Sequence, residues 1–557
     1  MSTPPEIPEH PQASMLRWAV AGSVLVSLAF PPLEWSYLAW VTPVLWLRWI
    51  HVAQLPGTHP YRTLWLAGFV FWLLVVHWIR LPHPLNYIAW VVLAAYLGAY
   101  LPVFMALSRV GVQRYGLPLW LVAPVAWTGL DWLRGNLMTG FLMGSLAHTQ
   151  VGHPLVIQIA SLAGEYGVTF LIVLVAACLT QSLHSYPSQP ARIVIVCLIP
   201  AVIGVAATLL YGSLQSTNYS CLLENTNNRQ GPRIALIQGH TRADWKNDLK
   251  KQRSIMQEHQ RLSLSAVEDS GHRDIDLVIW PETAFRQSLV TVAEGYKVPE
   301  QIHRSYLTTG RSELAELAGQ LNSAVLVGIQ HVHLSGAADG SPEAVSFNSA
   351  VLVDRQGTVR DTYDKMHRVV LGEYVPFAKW LPVLAQLTPI TGAIEAGTRP
   401  VAMQLDKVIY ATNICYETVV PHLIRQHVVQ LSASGKTPHV LVNLTNDAWF
   451  WGSSELDLHL ACGIFRAVEM RTPLVIAANG GLSAYVDAYG NVLQKTPRQQ
   501  TAVLLVDLKL PPRSDALGSS DTYPSFYAAH GDWFAIPCMV CCVLAALARN
   551  PGRTIDS

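Results

Sequence analysis

Seven apolar stretches crowd the first 212 residues, at 15–31, 36–51, 62–80, 86–108, 117–134, 155–184 and 192–212, and an eighth stands apart at 533–548. A helix needs about 20 mainly apolar residues to cross the hydrocarbon of a bilayer, and backbone in that medium must satisfy its own hydrogen bonds. The expectation is a polytopic α-helical membrane domain of about eight spans, the first and last of them short. Charge supports this. Only 13% of the 557 residues are charged, against about 25% in an ordinary soluble chain, and the deficit lies ahead of residue 213. The leading "MSTPPEIPEHPQAS" has no positive start, and "FPPLEW" is no small-residue cleavage site, so the first stretch reads as a retained span rather than a secretory signal.

Basic residues near span ends set orientation. With the N-terminus inside, Arg17, Arg48, Arg62, Arg109, Arg114, Arg192, Arg549 and Arg553 fall on the inner face, and only Arg80 and Arg134 on the outer. That bias puts everything between the seventh and eighth spans outside, which in a bacterium is the periplasm. The expected division is a membrane domain at 1–212, a linker at 213–231, a globular domain at 232–532, a last span at 533–548 and a cytoplasmic tail at 549–557. The stretch "GLDWLRGNLMTGFLMGSLAHTQ" (129–150) departs from a plain anchor. Asp131 and Arg134, three apart, can pair on a helix at the outer rim, and the glycines beyond them suggest an irregular segment. Gly164, Glu165 and Tyr166 raise the same question.

Beyond residue 232 the pattern changes to short Val/Ile/Leu runs at 233–240, 275–282, 323–332, 347–354, 408–417, 439–447, 473–487 and 501–508, with amphipathic stretches near 245–268, 311–321 and 456–471. Such alternation indicates an α/β domain whose sheets are covered on both faces. The formal net charge of +1 gives no sign of a nucleic-acid partner. Eight cysteines are too few for a disulfide scaffold, and no C-x-x-C pair stands beside histidines, so no metal is expected.

Three strand ends carry chemistry. "VIWPETAF" places Glu282 just past a strand, "YDKMHRVVLGEYVPF" holds Lys365 and Glu373, and "VIYATNICYE" ends at Cys415. Separately, they read as a helix cap, two solvated loop charges and a core cysteine. Together they supply a base, a cation and a thiol where α/β folds build their sites. A thiol with a pKa near 8.5 is little ionised at neutral pH. A nearby carboxylate can take its proton, and a lysine can stabilise the oxyanion that follows attack on a carbonyl. The product of that attack is a thioester.

"WPE", "YDKMH", "GEYVPF" and "NICYE" resemble the Glu–Lys–Cys signature of the nitrilase, or carbon–nitrogen hydrolase, superfamily. With "DWLRG", "GEYGVTFL", "NLTNDAWF" and "FRAVEMRTPLVIAANGGLSA", the chain resembles that superfamily's apolipoprotein N-acyltransferase family over nearly its whole length. The resemblance implies a four-layered α-β-β-α sandwich between the seventh and eighth spans in the inner membrane of a Gram-negative bacterium. Glu282 is then the general base, Lys365 the oxyanion-stabilising cation and Cys415 the nucleophile, supported by Glu373, Tyr416 and Glu417. Trp245 matches the family tryptophan that shields the site, and Asn446, Asp447, Trp449 and Phe450 shape the pocket or a lid. Within 369–387, Phe377, Trp380 and Leu381 form an apolar loop suited to dipping into the bilayer.

The implied reaction is ping-pong and needs no cofactor. An acyl chain passes from a phospholipid, typically the sn-1 chain of phosphatidylethanolamine, to Cys415, and then to the α-amino group of the diacylglyceryl-modified N-terminal cysteine of an apolipoprotein. Two other functions remain open on the residues alone. A membrane-anchored amidase of the same superfamily would pass its acyl group to water. A scaffold or transporter would use the α/β domain only to bind. Neither Cys221 nor Cys462 is expected to pair with Cys415.

Overall fold

The computed structural model describes residues 11–185, 190, 195–225, 231–241, 249–271, 273–300, 302–336, 342–370, 372–374, 394–510 and 525–547. It divides into two compact units, Met1–Leu214 with Asp532–Ser557, and Gln215–Gly531.

The first unit is helical. Asn86–Arg114, Glu165–Ser185 and Ile199–Asn218 are long and apolar enough to cross a membrane, and five shorter apolar helices accompany them: Ser14–Ser27, Leu38–Leu47, Pro60–Val75, Pro154–Ala163 and Ala535–Leu547. Two expected spans are interrupted. The 36–51 stretch forms two single turns, Leu38–Val41 and Val44–Leu47, on either side of Pro43, whose nitrogen has no hydrogen to donate. The 155–184 stretch breaks at Gly164, which takes φ +67° and closes the turn Ala160–Ala163 before Glu165–Ser185 begins. A side chain there would be strained. The stretch expected as a linker opens as helix, since Ile199–Asn225 runs on through its first turns. Extending a formed helix is cheap even through Ser, Thr and Asn.

Asp131 and Arg134 pair at 3.0 Å, buried within the unit rather than exposed at a rim. The Arg134 guanidinium also donates to the carbonyls of Phe141 (2.8 Å) and Met143 (3.3 Å) and lies over the Trp72 ring. The chain after Asn136 is irregular as far as the short turn Leu146–Gln150, with Met138, Gly140 and Gly144 at positive φ. Nε2 of His148 stands 2.6 Å from the Glu165 carboxylate, both buried.

Among the described residues the second unit holds fourteen strands: β1 (Arg233–Gln238), β2 (Leu277–Ile279), β3 (Leu289–Val292), β4 (Ala324–Gly336), β5 (Pro342–Val353), β6 (Val359–Asp364), β7 (Ile394–Glu395), β8 (Ala402–Leu405), β9 (Val408–Ile414), β10 (Val440–Asn446), β11 (Leu474–Asn479), β12 (Ala484–Val486), β13 (Val492–Lys495) and β14 (Ala502–Asp507). One sheet runs β14-β1-β2-β4-β5-β6, with β3 beside β4 and β7 beside β5; the other runs β13-β12-β11-β10-β9-β8. In each sheet the centre is parallel: β1, β2 and β4 in the first, β9, β10 and β11 in the second. The stretch 473–487, expected as one strand, is two, because Gly480 takes φ +67° between β11 and β12.

Side-chain alternation makes the layers. On β1, Ile234 and Leu236 face a core shared with Ile414, Val442 and Leu444 of the other sheet. Ala235 and Ile237 face the opposite way, onto Leu262 and Ala266 of the helix Leu249–Glu268 and Leu314 and Leu317 of Arg304–Leu321. The second sheet is covered by Pro421–Ala433 and Glu455–Met470. Gly463 of the latter lets it sit close on β11, since a Cβ there would stand 2.8 Å from the Leu474 side chain. The unit is thus layered α-β-β-α, and the parallel strands of both sheets end near one another.

Candidate active site

Glu282 follows β2, Lys365 follows β6 and Cys415 follows β9. The structure gathers these strand ends. Oε1 of the buried Glu282 accepts from Nδ2 of Asn348 at 2.7 Å and lies 3.4 Å from Nζ of Lys365, while its Oε2 accepts from the Asn446 N–H at 3.0 Å. Nζ of Lys365 donates to Oε1 of Glu373 at 2.9 Å. Glu373 also takes Nδ2 of Asn348 at 3.0 Å and the Val369 N–H at 2.9 Å. Asn348, in the middle of β5, therefore bridges the two carboxylates that flank the lysine.

The charges are set by this packing. Burial pulls the Lys365 ammonium down, but Glu373 and Glu282 outweigh it and hold its pKa well above the ordinary value. Glu373, pushed up by burial, is brought below the ordinary carboxylate range by Lys365 and its hydrogen bonds. The Cys415 thiol goes the other way. Burial, then the charge of Glu282, raise it well above a free cysteine, only partly offset by Lys365. Cys415 therefore rests as a thiol beside an acceptor rather than as a thiolate, and its attack requires a base. Cys415 adopts φ +54° at the turn leaving β9, a strained conformation held by its surroundings.

Glu417 has a different part. It is fully buried, and its carboxylate accepts from the Tyr363 hydroxyl (2.9 Å), the N–H groups of Met366 (2.8 Å) and His367 (2.9 Å), and that of Ile414 (2.7 Å). It ties the end of β9 to the segment just after Lys365. Tyr416 stacks on His367, ring centroids 6.0 Å apart. Asn446 and Asp447 are buried at the end of β10. Trp449 and Phe450 are half-buried on the turn Asp447–Phe450. Cys415 and Cys462 are free thiols, Cys462 inside the helix Glu455–Met470. Trp245, Phe377, Trp380 and Leu381 lie outside the described residues, as does the Cys221 side chain.

Two polar residues of the site escape a reading of strand ends: Asn348, and His459, which approaches the Cys415 carbonyl. Each sits within an apolar run, "SFNSAVLV" and "LDLHLAC". A buried amide or imidazole needs partners, and that is the signal that marks them.

The profile of the carbon-nitrogen hydrolases matches residues 233–513, the stretch that holds both sheets and all of these side chains, so the α/β unit is of that class. The profile of the apolipoprotein N-acyltransferase N-terminal domain matches residues 22–178. The apolipoprotein N-acyltransferase of Geobacter metallireducens is 31% identical over 95% of this chain and 94% of its own length. That of Rhodopirellula baltica is 29% identical over 93% and 95%. The chain belongs to the apolipoprotein N-acyltransferase family. Among solved structures, an amidase from Nesterenkonia sp. aligns over 50% of this chain and 90% of its own, at 20% identity and a TM-score of 0.34.

Proposed function

We propose that the protein transfers an acyl chain from a phospholipid, through a thioester on Cys415, to the α-amino group of the diacylglyceryl-modified N-terminal cysteine of apolipoproteins. The observation that carries the reading is the convergence of Glu282, Lys365 and Cys415 at the strand ends, with Lys365 against Glu282 and the charges of both acting on the Cys415 thiol. The full-length likeness to N-acyltransferases and the apolar helices of the other unit support it.

In the first half-reaction, Sγ of Cys415 attacks the ester carbonyl at the sn-1 position of phosphatidylethanolamine while Glu282 takes the thiol proton. Lys365 stabilises the oxyanion. Collapse breaks the ester C–O bond, and Glu282 returns the proton to the departing lysophospholipid. In the second half, the acceptor amine attacks the thioester, Glu282 takes an amine proton, the C–S bond breaks and the thiolate is reprotonated. Glu373 and Asn348 hold Lys365 and Glu282 in register, Tyr416 and Glu417 brace the turn at the nucleophile, and Asn446, Asp447, Trp449 and Phe450 shape the pocket. Trp245, Phe377 and Trp380 serve as shield and lid, excluding water from the thioester.

Both substrates are lipids, and the apolar helices of the other unit suit a chain that works at a membrane. The proposal includes eight membrane passages in the inner membrane, with the α/β unit in the periplasm, supported by the distribution of basic residues at span ends. The test supplies phosphatidylethanolamine labelled in the sn-1 chain together with a diacylated lipopeptide. Labelled triacylated lipopeptide from the wild type and none from Cys415→Ser supports the reading. Labelled free fatty acid as the sole product would instead indicate a hydrolase.

A further inference from the structure

The strained turn at Cys415 is pinned from the side of the helix Glu455–Met470. The Cys415 carbonyl oxygen accepts from Nε2 of His459 at 3.2 Å and from Nδ2 of Asn443 at 3.3 Å. Nδ1 of the same imidazole faces Oδ1 of Asp447 at 3.2 Å, and that oxygen is fixed by the Thr445 hydroxyl at 2.6 Å. His459 is buried. Both of its neighbours are acceptors: a carbonyl oxygen has no hydrogen, and an ionised carboxylate has none. A neutral imidazole carries one N–H, an imidazolium two. A doubly protonated ring satisfies both contacts by donating at each, to the Cys415 carbonyl and to the Asp447 oxygen that already accepts from Thr445.

The groups around His459 agree. Asp447 faces it from the turn after β10, Glu455 from one helical turn earlier, and Glu282 from the turn after β2. Burial opposes a charge on His459, but the Asp447 carboxylate outweighs it and raises the imidazole above its ordinary value. Glu455, with Oε2 buried and unpartnered, is pushed well above the carboxylate range by burial and by Asp447. The ligand atoms of Asp447, Glu455 and His459 lie within 4.8 Å of one another, a spacing that a small cation can bridge. With both ring nitrogens directed at acceptors as N–H donors, the imidazole has no lone pair left for a metal.

We infer that His459, anchored on Asp447 as a double hydrogen-bond donor, is a positioning residue that locks the peptide plane between Cys415 and Tyr416 for acyl transfer. In a trans peptide the C=O and N–H point in opposite directions. A carbonyl held toward His459 and Asn443 therefore turns the Tyr416 N–H away from them, which fixes a backbone dipole next to the nucleophile where charge develops on an attacked carbonyl. The Cys415 thiol has its own hydrogen-bond partner in Thr445. Loss of His459 thus disturbs the peptide plane before it disturbs the sulfur.

The inference rests on the acyl-transfer reading of Cys415, and the test keeps the two apart by using two generic reagents. The burst of p-nitrophenol from a p-nitrophenyl ester reports formation of the acyl-enzyme, which passes through an oxyanion. Alkylation of Cys415 by iodoacetamide has no oxyanion. His459→Gln, whose N–H donors sit on a single atom and whose other end is an acceptor, is expected to slow the burst about 10²-fold, in the range for loss of one oriented oxyanion donor, with alkylation within about threefold of wild type. Asp447→Asn is expected to give a burst defect of the same size, and the double variant no more than either alone, as for two residues acting as one unit. Parallel loss of burst and alkylation in both variants means a structural role only and overturns the inference. So does a wild-type burst in His459→Gln, or a stoichiometric metal ion in the purified protein. A wild type that acylates on the p-nitrophenyl ester but takes no chain from phospholipid would refute the lipid donor and leave this inference standing.

Discussion

Each unit of the molecule buries ion pairs, and two of them, Asp131–Arg134 and Glu282–Lys365, are built differently. In the helical unit Arg134 finds Asp131 three residues away and the carbonyls of Phe141 and Met143 seven and nine residues away. One turn of helix and the chain just beyond it satisfy this set. In the α/β unit Glu282 reaches Asn348, Lys365 and Asn446 across 66, 83 and 164 residues. No local segment can assemble that set; two sheets must be layered first. The helical pair is closed on itself, which is what a buried charge in an apolar surrounding requires. The α/β set is joined by a thiol that feels the charges of both Glu282 and Lys365. Local pairing serves the fold, and convergence from several strands makes a site.

The most severe test of this contrast replaces the charges of the site itself. Glu282→Gln and Lys365→Met are each expected to lower acyl transfer about 10³-fold, for loss of the base and of the oxyanion partner. Glu282→Gln carries an opposite sign in a second assay. The Glu282 charge raises the Cys415 thiol, so the wild type should be alkylated slowly at neutral pH, with the rate rising only above the free-thiol range of about 8.5. In Glu282→Gln the rise should move to lower pH. An unshifted profile of iodoacetamide reaction would separate Glu282 from the thiol.

Glu417→Ala tests stability rather than chemistry at the same turn. It leaves the Tyr363 hydroxyl and the N–H groups of Ile414, Met366 and His367 without their acceptor. The loss expected in chemical denaturation is about 3 kcal/mol, since each buried donor left unmet costs about 1–3 kcal/mol before the site relaxes. Asn348→Leu should slow acyl transfer about 10-fold to 10²-fold while Cys415 stays alkylatable, because Asn348 orients Glu282 and Glu373 without touching the sulfur. Smallest in activity is Asp131→Asn, which should lower the melting temperature yet leave acyl transfer per folded enzyme within about threefold of wild type. Its loss of activity on the scale of Glu282→Gln would break the contrast between the units.

The sequence shows these two kinds of set unequally. Asp131 and Arg134 are legible as a pair because three residues is a helical spacing. Glu282 and Cys415 are legible because each ends a run expected as a strand, and Lys365 as a loop charge between two such runs, although nothing in their spacing brings them together; the resemblance of "WPE", "YDKMH" and "NICYE" does that. Asn348 and His459 are hidden by their setting, since periodicity assigns any residue within an apolar run to the core. The breaks at Pro43 and Gly480 are missed for a related reason: hydropathy continues across them while backbone geometry does not, whereas Gly164 stands out in the sequence within a stretch still read as one span. The short strands β7, β8 and β13 carry mixed or polar residues, and β13 is exposed along its length, so no alternation announces them.

The central claim is that Cys415 carries the acyl chain. Purified protein incubated with phosphatidylethanolamine and no acceptor, weighed intact beside a Cys415→Ser control, tests it most directly. The expected result is a gain of one acyl chain that is labile to hydroxylamine, absent from the control and discharged by a diacylated lipopeptide. No gain in a folded protein with phospholipid bound, or an equal gain in the control, would contradict it.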